Sequence, residues 1–378
     1  MNLFVTVPSL IRAGAEIQAV SLANGLSTRS NTVHLCSLSD RNDLRDRIGG
    51  AVTVHTFPRR SKFDRAPLGH MRSVVDEARI DVILGVMQFA AMVSWLASIR
   101  TYRKPPVVVG IHTTINVGLK EELQDRLIYR QILQRLPGIV FVCQNQREHW
   151  LRKFPELKDR AHVIYNGIDL DRYRRDGLER SALEVRDRLE IPADATVFTC
   201  VAAFRPEKGH EILLRSFSRL DVNAYLILVG DGVLRERITR TAEQLGINDR
   251  LRLVGNIPDV RPTIVASDAT VLASTSVETF SLAMLESMAL GVPMIATRIG
   301  GASEAIQDHE NGLLCAPGDV AALAGHLRWI AEHKPEARSL GCEAARTARR
   351  RFGVDTMIAN YEQVLGDIAN KGGLSRRE

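Results

Sequence analysis

Short apolar, β-branched runs alternate with helical patterns from the beginning of the chain. The runs are NLFVTVP at 2–8, NTVHLCSL at 31–38, AVTVHTF at 51–57, DVILGVM at 81–87, PPVVVGIH at 105–112 and GIVFVCQ at 138–144. Helical patterns fill 14–28, 68–79, 89–100 and 118–135 between them. This rhythm predicts βα units and a parallel sheet.

A second series begins near residue 195. It runs through TVFTCVAAF, a helix at 208–220, AYLILVG, a helix at 232–246, LRLVG, a short helix at 260–266 and ATVLAS. A helix at 281–290, PMIATR, GLLCAP and a helix at 319–333 complete it. Between the two series lies HVIYNGIDLDRY at 162–173, where a strand runs into Asn166-Gly167, two residues that tolerate positive φ and favour a sharp turn. The hinge is placed there. FGVDTMIANYEQVLGDIAN at 352–370 has the apolar spacing of one more helix, and the tail KGGLSRRE is expected to fray. Two α/β domains result: 1–168 together with a terminal helix at about 354–372, and 169–353.

Length agrees, because 378 residues exceed one ordinary core at roughly 150 residues per domain. With 45% hydrophobic and 25% charged residues the composition is globular, and nothing approaches the roughly 18 uninterrupted apolar residues of a membrane span. The expectation is a soluble, cytoplasmic protein. MNLFVTVPSLIRAGAE lacks a basic leader and a cleavage site, so it reads as a first strand. Five scattered cysteines without a Cys-x-x-Cys pair indicate reduced, mostly buried thiols and no metal site.

Charge is uneven. Residues 1–170 hold 23 Lys/Arg against 15 Asp/Glu, whereas 171–378 hold 27 against 29. The densest basic patch, Arg59, Arg60, Lys62 and Arg65 with Phe63 and Pro67 interleaved, is either a solvated loop or a contact for anionic lipid headgroups at a membrane surface. Nucleic acid is disfavoured, since no recognition stripe, zinc motif or RNP-type motif accompanies the patch. Neither half presents Gly-x-Gly-x-x-Gly after its first strand, which argues against an NAD enzyme.

The chemistry concentrates in SVETFSLAMLESMALGVP at 276–293. Leu282, Leu285, Ala289 and Val292 define the buried stripe of a helix that ends at Gly291 before Pro293. Glu286 falls beside that stripe, so its carboxylate needs partners, either ribose hydroxyls or a neighbouring arginine. Glu278 lies in the loop after a parallel strand, where open α/β sheets bind ligands. Thr279, Phe280 and Ser281 lead into the helix, whose first N–H groups and positive dipole end suit a pyrophosphate.

These residues resemble the E-x7-E element of the large fourth family of retaining glycosyltransferases. The resemblance extends over nearly the whole chain: AGAE at 13–16, VVVGIHTT at 107–114, the Asn-Gly-x-Asp of HVIYNGIDLDRY, FRPEKGH at 204–210, LILVGDG at 226–232, LRLVGNIPDV at 251–260, and GGASEAI followed by ENGLLCAPGD. Most of these are weak singly; their order and spacing are specific together. The resemblance implies the GT-B fold, in which two Rossmann-like doubly wound domains flank a deep cleft, the C-terminal one holds the donor and the last helix returns to the first domain.

It also implies roles. Glu286 would hold the ribose, Glu278 and the backbone of Phe280 and Ser281 the sugar hydroxyls, and Ile257 and its neighbours after Gly255 the base. Thr279 and Leu282 flank the same donor site. Lys208 and Arg205 suit the diphosphate, whose negative charge grows as the glycosidic bond breaks. Gly14 lets the donor phosphates approach the backbone. His112, ending a strand, matches the family's histidine near the reacting sugar; His55, His70, His149, His162 and His210 are given no such role.

Two departures stand out. The family's usual arginine position is Ala203, which leaves Arg205 either as its substitute or as a surface charge, and a common second glycine is Ala13.

The expected activity is a metal-independent, cofactor-free hexosyl transfer from a nucleotide-diphosphate sugar to a glycan or lipid-linked acceptor, such as a cell-envelope precursor. UDP is favoured only as the family's commonest carrier. The alternatives are a sugar-nucleotide epimerase of the same architecture and a non-catalytic nucleotide-sugar-binding subunit.

Overall fold

The computed structural model describes residues 1–60, 64–113 and 119–374, the side chains of 119–121 and 373–374 excepted. The chain divides into two compact units: Met1–Gly167 with the stretch from Val354 onward, and Ile168–Gly353. Lys62, Phe63 and Thr114, along with residues 375–378 of the expected frayed tail, lie outside the described residues.

In the first unit, β1 (Asn2–Val7), β2 (Thr32–Ser37), β3 (Val52–Thr56), β4 (Val82–Val86), β5 (Val107–Ile111), β6 (Gly138–Phe141) and β7 (Ala161–Val163) form a parallel sheet. Its order is β3-β2-β1-β4-β5-β6-β7. β4, β5 and β6 are buried at every position, as expected of strands covered on both faces, so they read as unbroken apolar runs. The helix Val354–Leu374 seats Met357, Ile358, Tyr361, Leu365 and Ile368 in this unit's core at three- and four-residue steps. It carries on through Lys371 and Gly372, where fraying was expected, because Gly372 still packs near Pro106.

The second unit repeats the plan with β8 (Thr196–Val201), β9 (Ala224–Val229), β10 (Leu251–Gly255), β11 (Ala269–Leu272), β12 (Met294–Thr297) and β13 (Gly312–Cys315). The order is β10-β9-β8-β11-β12-β13, all parallel. Phe198, Phe204, Leu213, Phe217, Leu228, Val271 and Ile295 form its core.

Helices Gln144–Lys153, Glu179–Arg188 and Lys334–Arg351 were not anticipated. Their buried sides are narrow or built of small residues. Lys334–Arg351 buries Ala337, Leu340, Gly341, Ala344, Ala345 and Ala348, a stripe with little hydropathy to announce it.

Candidate functional site

The strand order of the second unit reverses between β8 and β11, which pair directly through Ala269 with Phe198 and Thr270 with Thr199. Loops leaving the carboxyl ends of two such strands diverge and leave a crevice between them. The loop after β8 carries Lys208 and the loop after β11 carries Glu278. Lys208 Nζ donates to Glu278 Oε2 at 2.7 Å, and Ser274 Oγ donates to the same oxygen at 3.0 Å. Thr297 Oγ1 donates to the Ser274 carbonyl at 2.7 Å, which fixes that serine from β12. The side chains of Lys208 and Glu278 are 22% and 11% exposed, so the pair is partly desolvated yet reachable.

Two glycines permit this stacking of loops. Gly209 has φ +66°, and a Cβ there would stand 1.9 Å from the Ala273 carbonyl oxygen. Gly300 has φ +58°, and a Cβ would stand 2.0 Å from the Glu278 carbonyl oxygen. Backbone bonds complete the joint: Thr275 N–H donates to the Glu207 carbonyl at 2.8 Å and Gly301 N–H to the Thr279 carbonyl at 2.7 Å.

Ser281 caps the helix Leu282–Ala289, its Oγ accepting from Met284 N–H. Thr279 and Phe280 are buried, and Phe280 meets the Phe352 ring edge-on at 5.3 Å. Leu285, Ala289 and Val292 are buried as expected, while Leu282, at the first helical position, is only half-buried. Gly291, with φ +69°, ends the turn that follows.

Glu286 is half-buried, and Tyr173 supplies a partner: its hydroxyl donates to Glu286 Oε1 at 2.7 Å. Burial, followed by the Glu286 charge, holds the Tyr173 hydroxyl above the ordinary phenol range. Tyr173 closes the turn after Ile168, whose N–H bonds the Phe352 carbonyl. Arg261 ties that turn down by donating to the Arg172 carbonyl at 2.7 Å while paired with Asp259 at 2.6 Å. Sequence reading missed Tyr173, since 113 residues separate it from Glu286 and its segment was read for the Asn-Gly turn.

Arg205 stands apart from the Lys208–Glu278 pair. Its side chain is 66% exposed and 3.9 Å from Glu207, the position of a surface charge. Gly255 ends β10 with φ +69° and accepts from Gly230 N–H, and Ile257 is half-buried against the Ile191, Val197 and Val229 cluster.

In the first unit, Gly14 opens the helix Gly14–Ser27 and is exposed. His112 follows β5, and burial presses its imidazole down to about 4, leaving it neutral near pH 7. The strand end that carries it is held by Gln146, which is fully buried. Gln146 Nε2 donates to the carbonyls of Ile111 and Thr113, both at 3.0 Å, and Oε1 accepts from Val142 N–H at 2.8 Å. Gln146 was not among the sequence candidates. Among the described residues no group of three or more His, Cys, Asp or Glu side chains is placed to hold a metal ion.

Both halves of the chain match known families. Residues 12–172 match Glycosyltransferase Family 4, and residues 182–347 match Glycosyl transferases group 1. The chain is 30% identical over 208 residues to N-acetyl-alpha-D-glucosaminyl L-malate synthase of Bacillus anthracis, covering 54% of this chain and 53% of that one. It is 33% identical over 180 residues to the lipopolysaccharide core biosynthesis glycosyltransferase LpsE of Rhizobium meliloti, covering 48% of this chain and 52% of that one. The chain thus spans about half the length of these curated relatives. A crystal structure of Anabaena HepE in complex with UDP superposes with a TM-score of 0.85 at 22% identity, covering 97% of this chain and 100% of that one. Together with the two parallel-sheet units, that likeness makes the fold GT-B.

Proposed function

We propose that the chain, whose two halves each match a glycosyltransferase family model, is a family 4-like glycosyltransferase that moves a hexose-type sugar from a nucleoside-diphosphate donor to a glycan or glycolipid acceptor, retaining the anomeric configuration. A UDP-sugar is the first donor to test, and cell-envelope polysaccharide or lipopolysaccharide synthesis the setting, by analogy with the lipopolysaccharide core glycosyltransferase LpsE and the UDP complex of HepE.

The observation that carries this reading is the Lys208–Glu278 pair at the reversal of strand order, next to the Ser281-capped helix that bears Glu286. In this reading Lys208 and the helix N-terminus receive the diphosphate, Glu278 with the Phe280–Ser281 backbone receives the sugar hydroxyls, and Glu286 receives the ribose. By the family resemblance Gly255 and Ile257 are assigned to the base, Gly14 to the phosphates and His112 to the reacting sugar. Arg205 joins only if its exposed side chain swings inward.

The bond from the anomeric carbon to the diphosphate oxygen breaks while the acceptor oxygen bonds on the same face, and the acceptor's proton passes to the departing phosphate. The glutamates act as holders, unlike the flanking carboxylates of a glycosidase. The protein contributes positioning and a fixed positive field, without metal or cofactor.

The same proposal puts the protein at the cytoplasmic face of the cell membrane, attached peripherally to anionic lipid through its basic first half. No helix among the described residues is long and apolar enough to cross a membrane. Binding to anionic liposomes at low salt checks the attachment.

A thermal-shift screen of nucleotide sugars, followed by incubation with donor alone and with an acceptor panel, tests the activity. Transfer only when acceptor is present supports it, whereas conversion of donor alone identifies an epimerase. Glu286→Gln is expected to weaken donor binding by about 1.5–3 kcal/mol.

A further inference from the structure

We propose that Tyr173 is a positioning residue for the nucleotide site: it sets the orientation of the Glu286 carboxylate toward the ribose. The proposal rests on the reading of Glu286 given above and adds a residue to it.

A carboxylate on a half-buried helical position can rotate about its terminal bonds, and its usefulness as an acceptor for two adjacent hydroxyls depends on which way its oxygens point. The Tyr173 hydroxyl fixes one of them, donating to Oε1 at 2.7 Å. A phenol can hold that oxygen without neutralising the charge, whereas an arginine would compete for both oxygens with a bidentate fork.

The tyrosine is itself immobilised. Its ring packs with Ala182, Val185, Ile264, Leu290 and Val292. Its turn is tied by Arg261, which bonds the Arg172 carbonyl and Asp259. Asp259 belongs to the loop that follows Gly255 and Ile257, the residues assigned to the base. One short segment therefore connects the base-side loop, through Arg261, with the ribose-side glutamate, through Tyr173.

The test is calorimetric titration of wild type, Tyr173→Phe and Glu286→Gln with UDP and with its 2′,3′-dideoxy counterpart. Phenylalanine keeps the ring in its apolar surroundings and removes only the hydroxyl. Tyr173→Phe is expected to lose about three- to tenfold in affinity for UDP and almost nothing for the dideoxy compound, because only the ribose hydroxyls read the carboxylate's orientation. In Glu286→Gln, adding Tyr173→Phe is expected to cost little more. Equal losses for both ligands in Tyr173→Phe would make its role merely structural and overturn the proposal. A UDP loss in Glu286→Gln with none in Tyr173→Phe would overturn it while leaving the ribose assignment standing. If wild type does not bind UDP, or Glu286→Gln binds it unchanged, the underlying nucleotide reading fails first.

Discussion

Lys208 Nζ sits 2.7 Å from Glu278 Oε2, although 70 residues separate them and each belongs to a different loop. The pair closes the gap between the ends of β8 and β11, and Ser274 shares the same carboxylate oxygen. Lys208 is therefore held at the crevice by a partner that leaves its charge partly exposed. Lys208→Ala should lower transfer about 10²–10³-fold if it stabilises the leaving diphosphate. The stability cost should be only about 1–3 kcal/mol, between an exposed and a buried pair. Turnover measured beside urea unfolding separates the two effects; normal turnover would remove Lys208 from the phosphate site.

Gly209→Ala should be more damaging than its size suggests. The backbone is left-handed, and the new methyl would collide with the Ala273 carbonyl, which cannot yield without moving the loop that leads to Glu278. The expected loss is at least about 1–2 kcal/mol of stability, and activity should fall even where the variant is fully folded, because Lys208 is the adjoining residue. Gly246→Ala is the control. That glycine has the same φ of +66° but open space around it, so it should show the conformational cost without the loss of turnover.

Gln146→Leu should uncouple His112 from its strand. The side chain satisfies the carbonyls of Ile111 and Thr113, at the end of β5 and in the loop after it, and the Val142 N–H that follows β6. Leucine would leave these groups unpaired in a buried place, at a cost of about 2–4 kcal/mol. If His112 acts near the reacting sugar, kcat should drop with KM for donor little changed, and His112→Ala should reproduce the kcat effect with a smaller loss of stability. A Gln146→Leu protein that unfolds at the wild-type urea midpoint would show that these bonds contribute nothing.

The legible parts of the molecule were those in which local pattern and tertiary role coincide. β4, β5 and β6 are apolar throughout because both faces are covered, so they stood out as runs. Glu286 was conspicuous as an acid beside an apolar stripe, and Gly291 as a helix stop. What escaped lies in contacts between distant segments or in helices whose buried side is small. Tyr173 has no local mark that it will face Glu286. Gln146 looks like one polar residue among several in QNQREH, although it is the one turned inward. The helix Lys334–Arg351 is buried through alanines and a glycine, and charged residues dominate its average. Arg205 could be read from the sequence either as a diphosphate cation or as a surface charge, because no local pattern says which way its side chain leaves the turn Pro206–Lys208; it is exposed beside Glu207.

His210 should make the protein acid-sensitive. It is 2% exposed, stands edge-on to Phe204 at 4.9 Å, and neither ring nitrogen has a hydrogen-bond partner among the described residues. Burial, helped by the Lys208 charge, presses its imidazole down to about 4 from an ordinary value near 6.5. The unfolded chain therefore takes up a proton at a higher pH than the folded one does. Stability from this group is complete above pH 6.5, declines as pH falls toward 4, and levels off below that, a change of up to about 3 kcal/mol. His112 carries a depression in the same direction and adds to the same limb, as do His34 and His55, both lowered by burial. Melting temperatures recorded from pH 8 to pH 4.5 should fall most steeply below 6.5. His210→Leu removes the proton acceptor and two unpaired nitrogens from an apolar site, so it should match or exceed wild type at pH 8 and show a shallower acid limb. A parallel pair of melting curves would mean that His210 is protonated as readily in the folded state as in the unfolded one, and that its nitrogens find partners in solution.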